Sequence, residues 1–403
     1  MTNAATHARV LPEPVPAPAL RRADVDWLKV AGVLLVFVVH AAEPFNPWDT
    51  WHIVSPDRTK WLGEVVLFLA PWIMPLFMML AGEDAWYALA KRSSRAYVRE
   101  RLLRIALPLA AGVLVLVPPQ VYLERRLRGQ FDGSLLEFYP RFFDGLYPKG
   151  NFGWHHLWFL VFLLAFALVT LPLFQWLRTQ AGRSGMARLA ALCDAPGGLI
   201  WFVLPYVAIR IAIEVLFPGT PPLAEDWSDR GLLLPAFVFG FMLAGEEGFR
   251  RALDRCWRTA LLLALGTSAA LGVWAWPGHL LDRLPPPRSA AGALLWGGYA
   301  FGAACWLLAL LGGARRHLDR APAAARRAGE LVLPFYVLHQ PVIVAFAFVA
   351  VRSGLGIAPG FALIAAASLA ATLALCALVA SSDLLRPAFG LRRRSPSVGA
   401  GQS

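Results

Sequence analysis

The feature that most constrains this chain is a series of long apolar segments that recurs from one end to the other. About ten segments are mostly apolar, and most of them reach the length of roughly 20 residues that a helix needs to cross a bilayer. A spanning segment must satisfy its own backbone hydrogen bonds in lipid, so each segment predicts a helix. The expected fold is all-α, a polytopic transmembrane helix bundle of about ten spans. By residue number the segments are 26–46, 63–89, 102–122, 157–177, 198–217, 231–245, 259–277, 289–313, 331–351 and 360–382.

Composition agrees with a membrane protein and excludes several other classes. Hydrophobic residues make up 58% of the 403 residues and charged residues 16%, whereas a soluble domain usually has about 25% charged residues. An ordinary cytosolic enzyme, a disordered chain and a disulfide-rich secreted domain are therefore excluded. The four cysteines form no CxxC pair and no HExxH motif occurs. We expect no disulfide, no metal and no permanently bound cofactor.

The basic residues predict the orientation of the chain. Lys and Arg number 38 against 26 Asp and Glu, a net charge of +12, and they concentrate in alternate gaps between the apolar segments. This distribution follows the positive-inside rule and does not form a nucleic-acid-binding face. We expect both termini in the cytoplasm and no nucleic-acid partner. Residues 1–22 are predicted to be a disordered cytoplasmic tail, 23–385 the transmembrane domain, and 386–403 a basic cytoplasmic tail.

The first span contains ionisable residues, which are costly to place in a bilayer and are therefore candidate functional residues. Lys29 and His40 are eleven residues apart, which places them on nearly the same helix face with a rise of about 16 Å between them. Glu43 follows His40 by three residues, within reach of its imidazole. A carboxylate that orients a histidine is typical of general-base catalysis. The alternative is a histidine satisfied by a backbone carbonyl at the helix end.

Two later spans add polar candidates. The fourth begins with His156, Leu157 and Trp158 near the outer interface, where a simple role in the aromatic belt is the alternative. The ninth contains Tyr336 and His339 just before a proline. A histidine at that depth is expected to face protein or water rather than lipid.

A pair of arginines lies where the third span begins. Arg101 and Arg104 are three residues apart, hence on one helix face, and Arg104 lies deeper than orientation of the chain alone requires. Arginine at such a position suits the recognition of phosphate. The alternative is that both residues only set the topology.

These motifs resemble those of the acyltransferase-3 family of membrane proteins, in particular its glucan-modifying branch. Lys29 and His40 match the family's first-span motif of a basic residue, ten residues and a histidine, with Asp26 just upstream as in that branch. Residues 75–82 resemble the phenylalanine-containing run that ends the second span, although Ala81 replaces the usual serine. Further matches are the Arg-x-x-Arg motif at 101–104 and two later signatures at 156–160 and 335–341.

The resemblance implies an enzyme of the bacterial inner membrane that transfers an acetyl or succinyl group from cytosolic acyl-CoA to a hydroxyl of an extracytoplasmic carbohydrate. Its partners would be acyl-CoA, the carbohydrate acceptor and the lipid bilayer. His40 would be catalytic, as general base or transient acyl carrier, which the residues do not distinguish. Glu43 would orient it, an inference from spacing alone. Lys29, Arg101 and Arg104 would bind the CoA phosphates, and the expected substrate-binding residues are Asp26, His156, Trp158, Tyr336 and His339.

The alternative function is a transporter or flippase for a sugar or a lipid-linked intermediate, since about ten spans with buried charges also fit that class. Secondary transporters often contain internal repeats and matched broken helices, and neither is evident in this sequence. The sequence leaves open which acyl group is moved, which glycan accepts it, and whether the chain forms a homo-oligomer.

Overall fold

The computed structural model describes residues 22–48, 51–216, 230–275, 285–286, 288–318, 320 and 322–394. The predicted N-terminal tail, 1–22, lies outside the described residues except for Arg22, and the predicted C-terminal tail does so beyond residue 394. Within the described part the chain is helical and contains no β-strand. The predicted all-α class is confirmed.

Two π-helical turns and two 3-10 turns interrupt the succession of α-helices. The 3-10 turns are Glu43–Phe45 and His155–Leu157, and the π turns are Leu102–Ala106 and Gly112–Leu116. The α-helices are α1 Ala23–Ala42, α2 Lys60–Lys91, α3 Ser94–Arg101, α4 Leu107–Ala111, α5 Val117–Leu127, α6 Leu135–Arg141, α7 Trp158–Val169, α8 Leu171–Leu177, α9 Gln180–Asp194, α10 Leu199–Leu216, α11 Leu233–Gly245, α12 Glu247–Ala275, α13 Ala290–His317, α14 Ala323–Arg352, α15 Ile357–Ser381 and α16 Leu385–Ala388.

Each of the ten predicted spans coincides with a helix or a helix pair. Among the described residues, eight helices are long and apolar enough to cross a membrane, and the pair formed by His155–Val169 and Leu171–Leu177 passes the same test with a bend of 52°. The remaining predicted span is α11, a shorter apolar helix of 13 residues. The chain is therefore a multi-pass membrane protein.

The third span is continuous from Ser94 to Leu127 but changes its helical form along its length. Prolines explain the changes, because a proline has no N–H to donate to the carbonyl four residues earlier. Pro118 leaves the carbonyl of Leu114 without this partner, and the hydroxyl of Tyr139 donates to it instead. Pro108 likewise cannot donate to the carbonyl of Arg104, which lies in the first π turn.

Helices α2 and α11 approach each other with backbone contact. A Cβ on Gly82 would lie 2.0 Å from the carbonyl oxygen of Phe237, and a Cβ on Gly240 would lie 1.9 Å from that of Met79. Small residues at such crossings let membrane helices pack closely. Helix α2 also packs against α1, and α1 packs against α14. The close crossing with α11 therefore holds α2 in place, and the other face of α2 lines the site described next.

Candidate active site

Two adjoining cavities are lined by residues of α1, α2, α7 and α14. We call the first, of about 220 Å³, the histidine cavity, and the second, of about 460 Å³, the arginine cavity. Met74 of α2 and Tyr336 of α14 line both cavities. These two side chains therefore form the boundary through which the cavities meet.

Five of the predicted site residues line the histidine cavity. A sixth, His339, is fully buried and contacts the cavity through its partner His40. The elements that bring them together are the end of α1, the turn before α7 and the middle of α14. The five lining residues are His40, Glu43, His156, Trp158 and Tyr336.

A hydrogen-bonded chain of two imidazoles sets the tautomer of His40. His339 Nδ1 lies 2.7 Å from the carbonyl oxygen of Tyr336, which can only accept, so Nδ1 of His339 carries a proton. A neutral His339 then has an acceptor at Nε2, which lies 2.9 Å from His40 Nδ1. His40 Nδ1–H is therefore the donor, and Nε2 of a neutral His40 is left unprotonated, as a general base requires.

His156 is fixed in a similar way from the other wall of the cavity. Its Nε2 lies 3.1 Å from the carbonyl oxygen of Val337, so Nε2 holds the proton and Nδ1 is an acceptor. That Nδ1 is buried and has no hydrogen-bond partner. The hydroxyl of Tyr336 donates to the carbonyl of His156, which ties the start of α7 to α14.

Glu43 lines the same cavity as His40 and is buried at 7% exposure. Asn46 Nδ2 donates to its Oε2 at 3.0 Å. The predicted carboxylate therefore lies in the same cavity as His40. The hydrogen bond from His40 Nδ1 goes to His339. Sequence spacing suggested Glu43 because it is near in the chain, and it could not suggest a histidine 299 residues away.

Two residues that the sequence did not single out lie at or next to the histidine cavity. Arg230 lines it, with its guanidinium 5.1 Å from the centroid of the Trp158 ring. Trp51 stacks on His40 with ring centroids 6.4 Å apart. Both residues lie in a loop or at a helix end, in segments whose sequence signal is their aromatic, proline and acidic residues.

A buried polar cluster lies next to Trp51 under the loop between α6 and α7. His52 Nδ1 lies 2.6 Å from Glu124 Oε2, and the rings of His155 and Tyr147 pack beside His52. Burial raises the pKa of Tyr147 to about 12, and the nearby Glu124 contributes in the same direction. The Tyr147 phenol is therefore protonated at neutral pH.

The arginine cavity holds all three residues predicted to bind CoA phosphates: Lys29, Arg101 and Arg104. Asp26, predicted to bind substrate, lines this cavity and not the histidine cavity. Lys29 Nζ forms an ion pair of 2.6 Å with Asp84 Oδ2. Spacing along the chain does not predict this pair, because the two side chains lie on different helices.

Four arginines lie close to a single carboxylate in the arginine cavity. Glu100 forms an ion pair with Arg92, and its Oε1 lies 3.6 Å from Arg104 Nη1 and 3.3 Å from Arg392 Nη2. Arg101, the next residue, extends over the Tyr97 ring with its guanidinium carbon 4.8 Å from the centroid. The carboxylates of Asp26, Asp84 and Glu330 also line this cavity. Its arginines suit polyanionic phosphates, because each guanidinium can form two parallel hydrogen bonds to phosphate oxygens.

Comparison with known proteins gives matches of two kinds. A family model described as an acyltransferase domain matches residues 22–381. Glucans biosynthesis protein C of Escherichia coli O6:K15:H31 is 23% identical over 245 residues, which covers 58% of this chain and 60% of that protein. The protein of the same name from strain K12 is 22% identical with the same coverage. The aligned part thus spans less than two thirds of these relatives, and no solved structure matches.

Proposed function

The chain belongs to the acyltransferase domain family, and from that premise we propose that it is an O-acyltransferase of the bacterial inner membrane. It takes an acyl group, acetyl or succinyl, from acyl-CoA on the cytoplasmic face and transfers it to a hydroxyl of an extracytoplasmic carbohydrate. The name of the relatives refers to glucan biosynthesis, which supports a glycan acceptor. The family match also favours an acyltransferase over a transporter or flippase.

The observation that carries this proposal is that a cavity rich in arginine adjoins one that contains a histidine base. CoA is polyanionic and cannot cross a bilayer, so its phosphates must bind from the cytoplasm. Arg101 and Arg104 hold them in the arginine cavity. The long uncharged arm of CoA then extends past Met74 and Tyr336, and its thioester reaches the histidine cavity.

The chemistry proposed for the histidine cavity is direct acyl transfer. His40 Nε2 takes the proton of the acceptor hydroxyl as its oxygen attacks the thioester carbonyl. The tetrahedral intermediate expels the CoA sulfur, which takes the proton back from His40, so that the products are an ester and free CoA thiol. While His40 is charged, its Nδ1–H donates to His339, and a negatively charged Glu43 in the same cavity favours the imidazolium.

The remaining residues of the histidine cavity position the acceptor. The unpartnered Nδ1 of His156 accepts a hydrogen bond from a second sugar hydroxyl. Trp158, with Arg230 across its ring, provides an aromatic face of the kind on which sugar rings pack.

Steady-state kinetics separate the two roles of His40, because an acyl carrier gives ping-pong kinetics and a general base requires a ternary complex.

The test is transfer of a labelled acyl group from acetyl-CoA or succinyl-CoA to a soluble glucan by the purified protein in detergent. His40→Ala should lower the rate on the order of 10²–10⁴-fold, as removal of a general base does. His317→Ala is the matched control, because this exposed histidine ends α13 and lines neither cavity. Wild-type activity in His40→Ala would remove His40 from the mechanism.

A further inference from the structure

The C-terminal arm, residues 382–394, folds back against the first π turn instead of leaving the protein. Arg104 Nε donates to the carbonyl oxygen of Gly390 at 3.2 Å. Gly390 has a positive φ of +74°, and a Cβ there would lie 2.5 Å from Leu333 Cδ2 and 2.9 Å from the Arg104 carbonyl oxygen. Only glycine fits both the backbone conformation and the space, so the contact between the arm and Arg104 is specific.

Hydrogen bonds within the arm fix its shape. Arg386 Nη1 donates to the carbonyl of Ala380 at 2.9 Å, at the end of α15, and Arg386 Nε donates to the carbonyl of Arg392 at 2.5 Å. Arg394 reaches the same Ala380 carbonyl at 2.8 Å. The backbone of residue 392 is therefore anchored to the end of a transmembrane helix, and its side chain is presented in a defined direction.

The side chain of Arg392 is directed at the proposed donor site. It lines the arginine cavity, and its Nη2 donates to Glu100 Oε1 at 3.3 Å. It is 69% exposed while Glu100 is 17% exposed, so most of the guanidinium remains accessible to a ligand. Glu100 is the shared partner of Arg392, Arg104 and Arg92, so three guanidinium groups gather at one carboxylate.

We propose that Arg392 is a phosphate-binding residue of the donor site and that Glu100 is an exchangeable counter-ion. Without donor, the Glu100 carboxylate holds the three arginines in one cluster. When acyl-CoA binds, its phosphate oxygens take over hydrogen bonds from the carboxylate, with Arg392 closing the site from the arm. This proposal rests on the proposed function, because it assigns a further residue to the acyl-CoA site.

The experiment is equilibrium binding of acetyl-CoA to the full-length protein in nanodiscs of phosphatidylcholine, which carry no net charge. Arg392→Ala should weaken binding about tenfold or more, as expected for loss of charged hydrogen bonds. Gly390→Ala should weaken binding in the same direction by displacing the arm. The matched control is Arg393→Ala, an exposed neighbour that does not line the cavity, and it should bind as the wild type does.

The outcomes separate this proposal from the proposed function. If Arg101→Ala loses affinity while Arg392→Ala and Gly390→Ala bind normally, the arm proposal is overturned and the acyl-CoA site stands. If wild-type protein does not bind acetyl-CoA, both are overturned. If Arg392→Ala has an effect only in nanodiscs that contain phosphatidylglycerol, the arm binds a lipid headgroup phosphate, and the proposal is again overturned.

Discussion

The arginine cavity and the histidine cavity hold their polar groups in opposite ways. In the arginine cavity, charged side chains face one another and several remain partly exposed, as Arg104 is at 47%. In the histidine cavity, backbone carbonyls fix buried imidazoles, and His339 is fully buried. Charges with water access can exchange partners with a charged ligand, whereas buried imidazoles keep one tautomer. The first arrangement suits reversible binding and the second suits proton transfer.

The largest expected effect comes from breaking the imidazole chain. His339→Phe keeps a ring but removes the acceptor for His40 Nδ1–H, so kcat should fall on the order of 10²–10⁴-fold through the wrong tautomer of His40. The KM for acyl-CoA should not change. His339→Gln retains an acceptor oxygen and should keep much more activity than His339→Phe. Equal kcat in His339→Phe and wild type would show that His339 does not position the base.

A smaller effect is expected when an arginine of the arginine cavity is replaced, and it should appear in the KM for acyl-CoA and not in kcat. Arg104→Lys keeps the positive charge but loses bidentate contacts, so the KM for acyl-CoA should rise by an amount that corresponds to ~1–3 kcal/mol. Its kcat should stay near the wild-type value. The measurement is the acyl-CoA concentration dependence of transfer, with Arg101→Lys as the companion variant. Unchanged kinetics in both would support a purely topological role.

Both cavities contain residues that the sequence predicts and contacts that it does not. Apolar segment length predicts the ten spans, each of which is helical, because the bilayer imposes that length, but it does not predict α6, α9 and α16, which lie outside those spans. Residue type predicts the arginines and histidines of the two cavities. The sequence does not predict which side chains on distant helices form pairs. The His40–His339 and Lys29–Asp84 contacts join residues 299 and 55 positions apart. Likewise, a basic tail gives no sign that Gly390 fits against Arg104, because that fit depends on backbone conformation and space.

Helix α2 lines both cavities, and a substitution on its neighbour α11 can displace it. Gly240→Ala would place a Cβ against the carbonyl of Met79 on α2, so the helices must separate at a cost of about 1–3 kcal/mol. The midpoint of thermal unfolding in detergent should fall, and both kcat and KM should change because α2 lines both cavities. Gly298→Ala is the control, since nothing lies within 4 Å of a Cβ there. A normal melting midpoint for Gly240→Ala would contradict the close crossing.

The smallest effect is expected from removing the ion pair between Lys29 and Asp84, which both line the arginine cavity. Asp84 is 48% exposed, and exposed ion pairs contribute at most about 1 kcal/mol. Asp84→Asn should therefore leave the melting midpoint nearly unchanged. A loss of stability much larger than this would show that Lys29 and Asp84 hold α1 and α2 together, and would make the arginine cavity a structural element rather than a binding site.

In the proposed reaction, donor and acceptor reach His40 from opposite faces of the membrane. The direct measurement uses sealed inverted inner-membrane vesicles, which expose the cytoplasmic face, with the glucan acceptor enclosed and labelled acyl-CoA added outside. We predict that the enclosed glucan is acylated by the wild type and not by His40→Ala, and that right-side-out vesicles given acyl-CoA outside show no transfer. Acylation of glucan only when donor and acceptor are supplied on the same face would contradict this account.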